Sequence, residues 1–558
     1  MPHLSPAQER GRTFHMPQHT CHALVLTGHQ CDFERPSCGQ CRRLGLQCDG
    51  YERKTVFVHS GPATAGTKKD VATTLVRQAL SANGTKNHPL EAKIGAVTLL
   101  PPGLVSSAYK SNYVGLFWDM YDPSSHLRRD LGNAISTTSW LRKVHSDKSY
   151  QSSPLLQTSF LAICLGTVGQ RLKAQHLIQN GMKAYNEALG GLAKSIAMQA
   201  QSKQIPDDTT IATTRILSLY EVFFGSDPLA PASTSSCPDT TLVKPQGLME
   251  PLFMSYNQAD AWRRHRFGEL ALLESQSPEM YKEGIAHQML ADGRLSITIA
   301  AVGVHRSTIL AREDWLTVPW TGSHKKTGWD LLLDIFVLLP GCLEDATRIE
   351  VALEMNPNHF HFHVTPARIA SSVGIQALLM LNRKCKHILS QLQSWYDNHA
   401  PPLWKAFLSS STYPRPVNLA YPTSHDPPSA DDISTAHMMC LYWSTKIKIT
   451  LLILQVRKSL AGLQVDVSRI DRSDLRMSIT QDSKHIMRTA PIFFEKGAGM
   501  AGSHIAIFPL TVALKALLMM GEIGVAEQRG MVKELLVRRA AESGLSVGPF
   551  VGSLRVLD

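Results

Sequence analysis

The run CDFERPSCGQCRRLGLQCDGY carries four thiols, Cys31, Cys38, Cys41 and Cys48, separated by six, two and six residues. Asp, Glu, Arg, Pro and Gly fill the intervals, which is no pattern for a hydrophobic core. The chemistry that suits these side chains is metal ligation. Cysteines two residues apart place both sulfurs on one side of a tight turn, where tetrahedral Zn²⁺ takes each thiolate at ~2.3 Å. Without secretory features, such spacing reads as a metal site before it reads as a disulfide framework.

With Cys21 added, the run resembles the fungal binuclear zinc cluster (Zn₂Cys₆), the DNA-binding module of fungal transcription regulators. That module runs Cys-x2-Cys-x6-Cys, a short loop often holding Pro, then Cys-x2-Cys-x6-Cys. Cys31, Cys38, Cys41 and Cys48 take the third to sixth positions, and Cys21 takes the first. The second position falls on Leu24. In the family the first and fourth cysteines bridge both metals. The resemblance therefore implies one complete site of Cys21, Cys38, Cys41 and Cys48. A second would have Cys21, Cys31 and Cys38 with its fourth place open to His22, His29 or water, since imidazole is an ordinary zinc ligand. One zinc held firmly and room for a second is the expectation. A plainer alternative aligns Cys21 by chance and leaves Cys31 to Cys48 around a single ion.

The family also implies how DNA is met. Its segment between the second and third cysteines is a short basic helix whose end enters the major groove and reads a CGG-type triplet. Here that segment is Val25-Leu26-Thr27-Gly28-His29-Gln30, with no cation, and Gly28 weakens a short helix. Arg42 and Arg43 stand on the second half, where the family faces phosphate, and phosphate contacts give register and salt-dependent affinity rather than sequence choice. Two accounts stay open: a module that folds around zinc but reads bases poorly, or a gene model in which residues before Cys31 come from a misjoined exon.

The rest of the chain is legible more coarsely. It has 558 residues in all, room for one small module and a large core. Its 57 Lys and Arg against 46 Asp and Glu give +11, compatible with a polyanionic partner, although the excess is spread along the chain. Cys164, Cys237, Cys342, Cys385 and Cys440 stand singly, most in apolar or helical surroundings, as reduced thiols in a cytosolic or nuclear protein would. The N-terminus lacks an apolar signal core, and apolar runs such as Ile449 to Val456 look short of the ~20 residues that cross a bilayer. A nuclear protein with no membrane partner is expected.

The organisation expected is a module over 15–55, a polar linker over 56–90 and a mainly α regulatory domain of packed helix pairs over 91–558. The linker is rich in Gly, Ala, Thr, Ser and Lys and shows no heptads. Helical periodicity marks 155–173, 174–199, 211–224, 258–273, 285–310, 329–338, 366–398, 433–461, 470–494 and 510–539. A Gly/Pro/Ser-rich break covers 225–251. Stretches such as AWRRHRFGELALLESQSPE and IMRTAPIFFEKGAGMAGSHIAIFPL resemble the regulatory domain of fungal-specific transcription factors. That likeness implies regulation of RNA polymerase II genes through a protein partner or small effector on the helical domain.

Catalytic look-alikes do not hold together. Gly497 to Gly502 spells G-x-G-x-x-G, but helical periodicity precedes it and Pro509 should break the helix a dinucleotide site needs after it, so it reads as a turn between helices. Gly544 to Gly548 spells G-x-S-x-G with no downstream histidine. His359, His361 and His363 alternate in a Pro-flanked segment that reads as a connection, and Arg263, Arg264, His265 and Arg266 read as a solvated face at a helix start. The expectation is a DNA-binding regulator with no enzymatic activity; the alternative is an interaction protein that keeps the helices but has lost base recognition.

Overall fold

A computed structural model describes residues 102–122, 139–202, 206–224, 256–354, 366–400, 430–463, 465, 472–495, 497–521, 530 and 534–535. The chain divides into two units, Met1–Lys86 and Asn87–Asp558, and all the described residues fall in the second. Cys21, Cys31, Cys38, Cys41, Cys48, Arg42 and Arg43 lie outside the described residues, as do the 56–90 segment, the 225–251 break, the alternating histidines and the G-x-S-x-G run.

Among the described residues every regular element is a helix and none is a strand. The longer helices are α1 (Pro102–Tyr121), α2 (Ser139–Ser146), α3 (Pro154–Leu172), α4 (Gln175–Ser202), α5 (Asp208–Phe224), α6 (Tyr256–Glu274), α7 (Gly284–Val304), α8 (Gly328–Phe336), α9 (Leu339–Glu354), α10 (Pro366–His399), α11 (Ala430–Gly462), α12 (Arg472–Thr489) and α13 (Gly499–Met520). The main packed pairs are α3 with α4, α5 with α6, α10 with α11, α11 with α12, and α12 with α13. This is the mainly α architecture of helix pairs that the periodicity implied.

Local chemistry sets the helix ends. Ser153 caps α3, its side chain accepting from Leu156 N at 3.3 Å with Pro154 in the first turn, which supplies an acceptor where the helix lacks one. α3 stops at Lys173, which takes the left-handed conformation at φ 52°, and the chain turns straight into α4. The two helices then cross closely because glycines face each other: a Cβ on Gly181 would sit 2.9 Å from Gly166 N and 3.1 Å from Ala162 O. Thr327 and Asp330 form a reciprocal capping box that starts α8.

Several expectations from sequence need correction, among them the helix read over 510–539, which is ended by a left-handed Gly521. The helix predicted over 285–310 ends at Val304, where His305 turns left-handed at φ 51°, and a 3₁₀ turn covers Ile309–Ala311. Pro509 does not interrupt the last helix: α13 begins at Gly499 and runs through it. A proline inside a helix forfeits a backbone bond, and here it is buried in a helix whose buried side chains are mostly apolar, packing that offsets the loss.

One large core joins the helices, with Trp443, Tyr121, Tyr281 and Phe336 fully enclosed. Asp432–Gly462 and Gly499–Met520 are each long and apolar enough by composition to cross a bilayer, contrary to the expectation that apolar runs fall short. Most of each is buried inside the fold (83% and 56% of the apolar window), so core packing accounts for their character. Cys164, Cys342, Cys385 and Cys440 are free thiols buried in the helical unit, as expected of reduced cysteines.

Candidate functional site

The helical unit holds charge in its interior, and the basic run of α6 is where it enters. The expectation of a solvated face at a helix start fails there. Arg263 to Arg266 lie within α6, and 3.6-residue spacing turns Arg266, Glu269, Leu270 and Leu273 inward while Arg264 alone of the run is exposed. Arg266 is 2% exposed. His265 is half-buried with Nε2 at 3.2 Å from the Tyr185 hydroxyl of α4, and burial, then the neighbouring Arg266 charge, pushes its pKa down to about 4.

A three-membered ion cluster ties α5 to α6. Arg215 on α5 donates through Nε to Glu269 Oε1 at 2.8 Å and through Nη2 to the same oxygen and to the Met289 carbonyl. Arg266 Nη1 lies 2.7 Å from Glu269 Oε2 and donates to Ser296 Oγ at 3.0 Å. All three charged side chains are buried. Gly293 makes this possible: a Cβ there would collide with the Arg215 guanidinium and sit 2.9 Å from Glu269 Oε1. Removing Glu269 would leave two buried arginines without their shared counter-charge, which is costly.

Beside the cluster is a cavity of ≈ 110 Å³ to which α1, α2, α5, α6, α7, α11 and α13 all contribute lining residues. Its walls are mainly apolar or aromatic, with Arg266, His437 and His504 among the polar groups. His437 is buried between Trp329, at 5.0 Å between ring centroids, and Phe493, at 6.4 Å. Burial, then the neighbouring His504, pushes the His437 pKa down to about 3. His504 packs edge-on to Phe223 at 5.7 Å, and burial, then Arg266, pushes its pKa to about 4. Both imidazoles are neutral at physiological pH.

A second buried cation is structural. Arg294 on α7 reaches Asp330 Oδ1 at 2.8 Å and Asp334 Oδ1 at 2.6 Å on α8, while its guanidinium lies 4.3 Å from the Trp320 ring centroid. It fixes two helices to each other and is not among the residues lining the cavity. The G-x-G-x-x-G run spans a turn at Gly497 and Ala498 and the first residues of α13, where a Cβ on Gly502 would strike Phe493 O. Close packing against the preceding 3₁₀ turn, Ala490–Phe494, accounts for that glycine. Among the described residues no group of three His, Cys, Asp or Glu could hold a metal ion.

Residues 29–56 match a known family, the fungal Zn(2)-Cys(6) binuclear cluster domain. The matched segment contains Cys31, Cys38, Cys41, Cys48, Arg42 and Arg43 and begins after Cys21 and Leu24. No curated protein and no solved structure matches the chain. Domains of the matched family bind zinc and DNA in transcription regulators, so the match supports a zinc-cluster, DNA-binding regulator of transcription. The donor set fits the metal: closely spaced thiolates are the ordinary ligands of tetrahedral zinc.

Proposed function

We propose that this chain is a nuclear, sequence-specific regulator of RNA polymerase II genes. Its 15–55 segment is a zinc-held DNA-binding module, and its 91–558 segment is a helical regulatory domain. The match of residues 29–56 to the zinc-cluster family is the observation that carries this reading. Cys21, Cys38, Cys41 and Cys48 hold one zinc; Cys21, Cys31 and Cys38 offer three ligands to a second. Zinc supplies most of the folding free energy of so short a segment, whose apolar side chains are too few to make a core of their own. Arg42 and Arg43 contact phosphate and set register on the duplex.

The regulatory role of the helical unit is supported by its helix-pair architecture and by the resemblance of its segments to fungal regulatory domains. A second reading keeps the helical unit as an interaction partner of an intact regulator. One observation favours it: the match starts at residue 29, leaving out Leu24 and most of the cation-free stretch that would read bases.

Binding of the zinc-loaded protein to a CGG-containing duplex and to a scrambled duplex, over a salt series, separates the two. Sequence-specific recognition predicts at least tenfold preference for CGG that persists as salt rises. Equal binding to both duplexes, vanishing with salt, would replace it by the second reading.

A further inference from the structure

Tyr121 on α1 and Ser218 on α5 both line the interior cavity, and each is 2% exposed. Among the described residues neither hydroxyl takes part in a hydrogen bond, and neither oxygen is sealed away by packing. They differ in this from Arg266 Nε and Nη2 and from His437 Nδ1, which have no surface to offer a ligand. A buried hydroxyl without a partner costs free energy unless something polar meets it. Each of the two can both donate and accept.

The rest of the lining limits what could meet them. Trp140, Trp262, Leu295, Ile299 and Phe508 present apolar or aromatic surface. Charge is already balanced: Arg215 and Arg266 are set against Glu269, and Asp292 adds a second carboxylate to the lining. An ion entering the cavity would find no counter-charge left for it, which is costly in the interior. A neutral molecule carries no such cost. The volume of ≈ 110 Å³ approaches the about 150 Å³ that holds a benzene ring in an apolar cavity, so the occupant is limited to about one ring or a short branched chain.

We propose that this cavity is a ligand site for a small neutral alcohol or phenol with a single ring or a branched apolar body. The hydroxyls of Tyr121 and Ser218 supply its hydrogen bonds, and its body lies against the aromatic and aliphatic wall. Because α1, α2, α5, α6, α7, α11 and α13 all contribute lining residues, occupancy favours the folded state. Binding is read on the full chain in the absence of DNA and is independent of the zinc module.

Calorimetric titration of the full-length protein with phenol, toluene and benzoate tests it without any mutation. The three are close in shape; toluene lacks the hydroxyl and benzoate brings a charge. Phenol is expected to bind saturably at one site per chain and to raise the unfolding midpoint. Toluene leaves water more readily than phenol, so a purely apolar cavity would prefer it. Here phenol is expected to bind at least as tightly as toluene, and benzoate at least tenfold more weakly than phenol. Toluene tighter than phenol, benzoate equal to phenol, or no saturable heat with phenol or 3-methyl-1-butanol up to millimolar concentration (a cavity that holds only water) overturns the proposal. Tyr121→Phe combined with Ser218→Ala supplies the second arm. It deletes two oxygens and little volume, so the helical circular-dichroism signal should be retained while phenol affinity falls at least fivefold and toluene affinity does not. Unchanged phenol affinity in that double variant rejects the assigned contacts.

Discussion

His437 on α11 and His504 on α13 line the same cavity, and their burial has a consequence for acid stability. Burial holds the first near a pKa of about 3 and the second near about 4, against about 6.5 for a histidine in an unfolded chain. Between those limits the unfolded chain binds protons that the folded chain refuses, so the folded state loses ground as pH falls from 6.5 toward 4. Above 6.5 neither histidine contributes to the slope. Each makes the unfolding equilibrium steeper by up to about tenfold per pH unit inside the window. Urea unfolding at pH 7 and pH 5 should therefore show a marked loss of stability, and His437→Asn should lose less between the two pH values than the parent does. Identical losses would mean that another group drives the acid sensitivity. The interior positions of these side chains are poorly legible in the sequence. Arg215 and Glu269 are 54 residues apart along the chain, and nothing local to TTRILSLY or RRHRFGEL says that a cation and an acid will share one pocket.

Helix by helix, the α3–α4 pair shows what close packing demands of sequence. Gly166, Gly169 and Gly181 lie at the crossing, and a Cβ on Gly181 would press on backbone atoms that cannot swing away. Gly181→Ala is expected to cost about 1–3 kcal/mol through overpacking. Gly190, on the same helix but exposed, is the matched control, because a Cβ added there would meet nothing within 4 Å. There alanine should be neutral or stabilise by up to about 1 kcal/mol, because glycine weakens a helix interior. Chemical denaturation of the two variants checks the contrast, and similar effects at both positions would show that propensity, not contact, governs this pair. Much at this scale is readable from sequence: helical periodicity locates α3, α4, α5, α6, α8, α10 and α11 to within a few residues. The misplacements have physical causes. A helix stopped by a left-handed His305 has no glycine or proline at the stop itself, and its Gly303 lies inside the last turn; a proline tolerated by apolar packing looks in sequence like a breaker. Periodicity misses α9 because it begins LPGC, turn-like in composition although helical in the fold.

At the scale of the whole molecule, the chain divides at Lys86 into a unit containing the cysteine-rich segment and a unit with a large apolar core of its own. The two draw on different sources of stability. In the proposed module thiolate–zinc bonds would stabilise a short segment, whereas the helical unit depends on buried apolar surface, and its described residues offer no cluster of metal ligands. The thiols of the first unit can be assigned a chemistry directly from their spacing, but the base-reading half cannot, because Leu24 and the cation-free stretch after it depart from the family pattern. Stripping zinc with a chelator should therefore separate two properties. DNA retention is expected to disappear, and Cys38→Ser should reproduce that loss because its thiolate bridges both ions in the proposed cluster. The far-UV helical signal and the thermal midpoint of the helices should stay close to those of the untreated protein. Before stripping, the logarithm of affinity should fall with the logarithm of salt by roughly 0.9 for each phosphate neutralised, so Arg42→Gln and Arg43→Gln should each shallow that slope by about one contact. DNA binding that survives complete zinc removal would detach the cysteines from DNA recognition. Helices that melt with the metal would tie the stability of the second unit to the first and end the separation on which the two-source description depends.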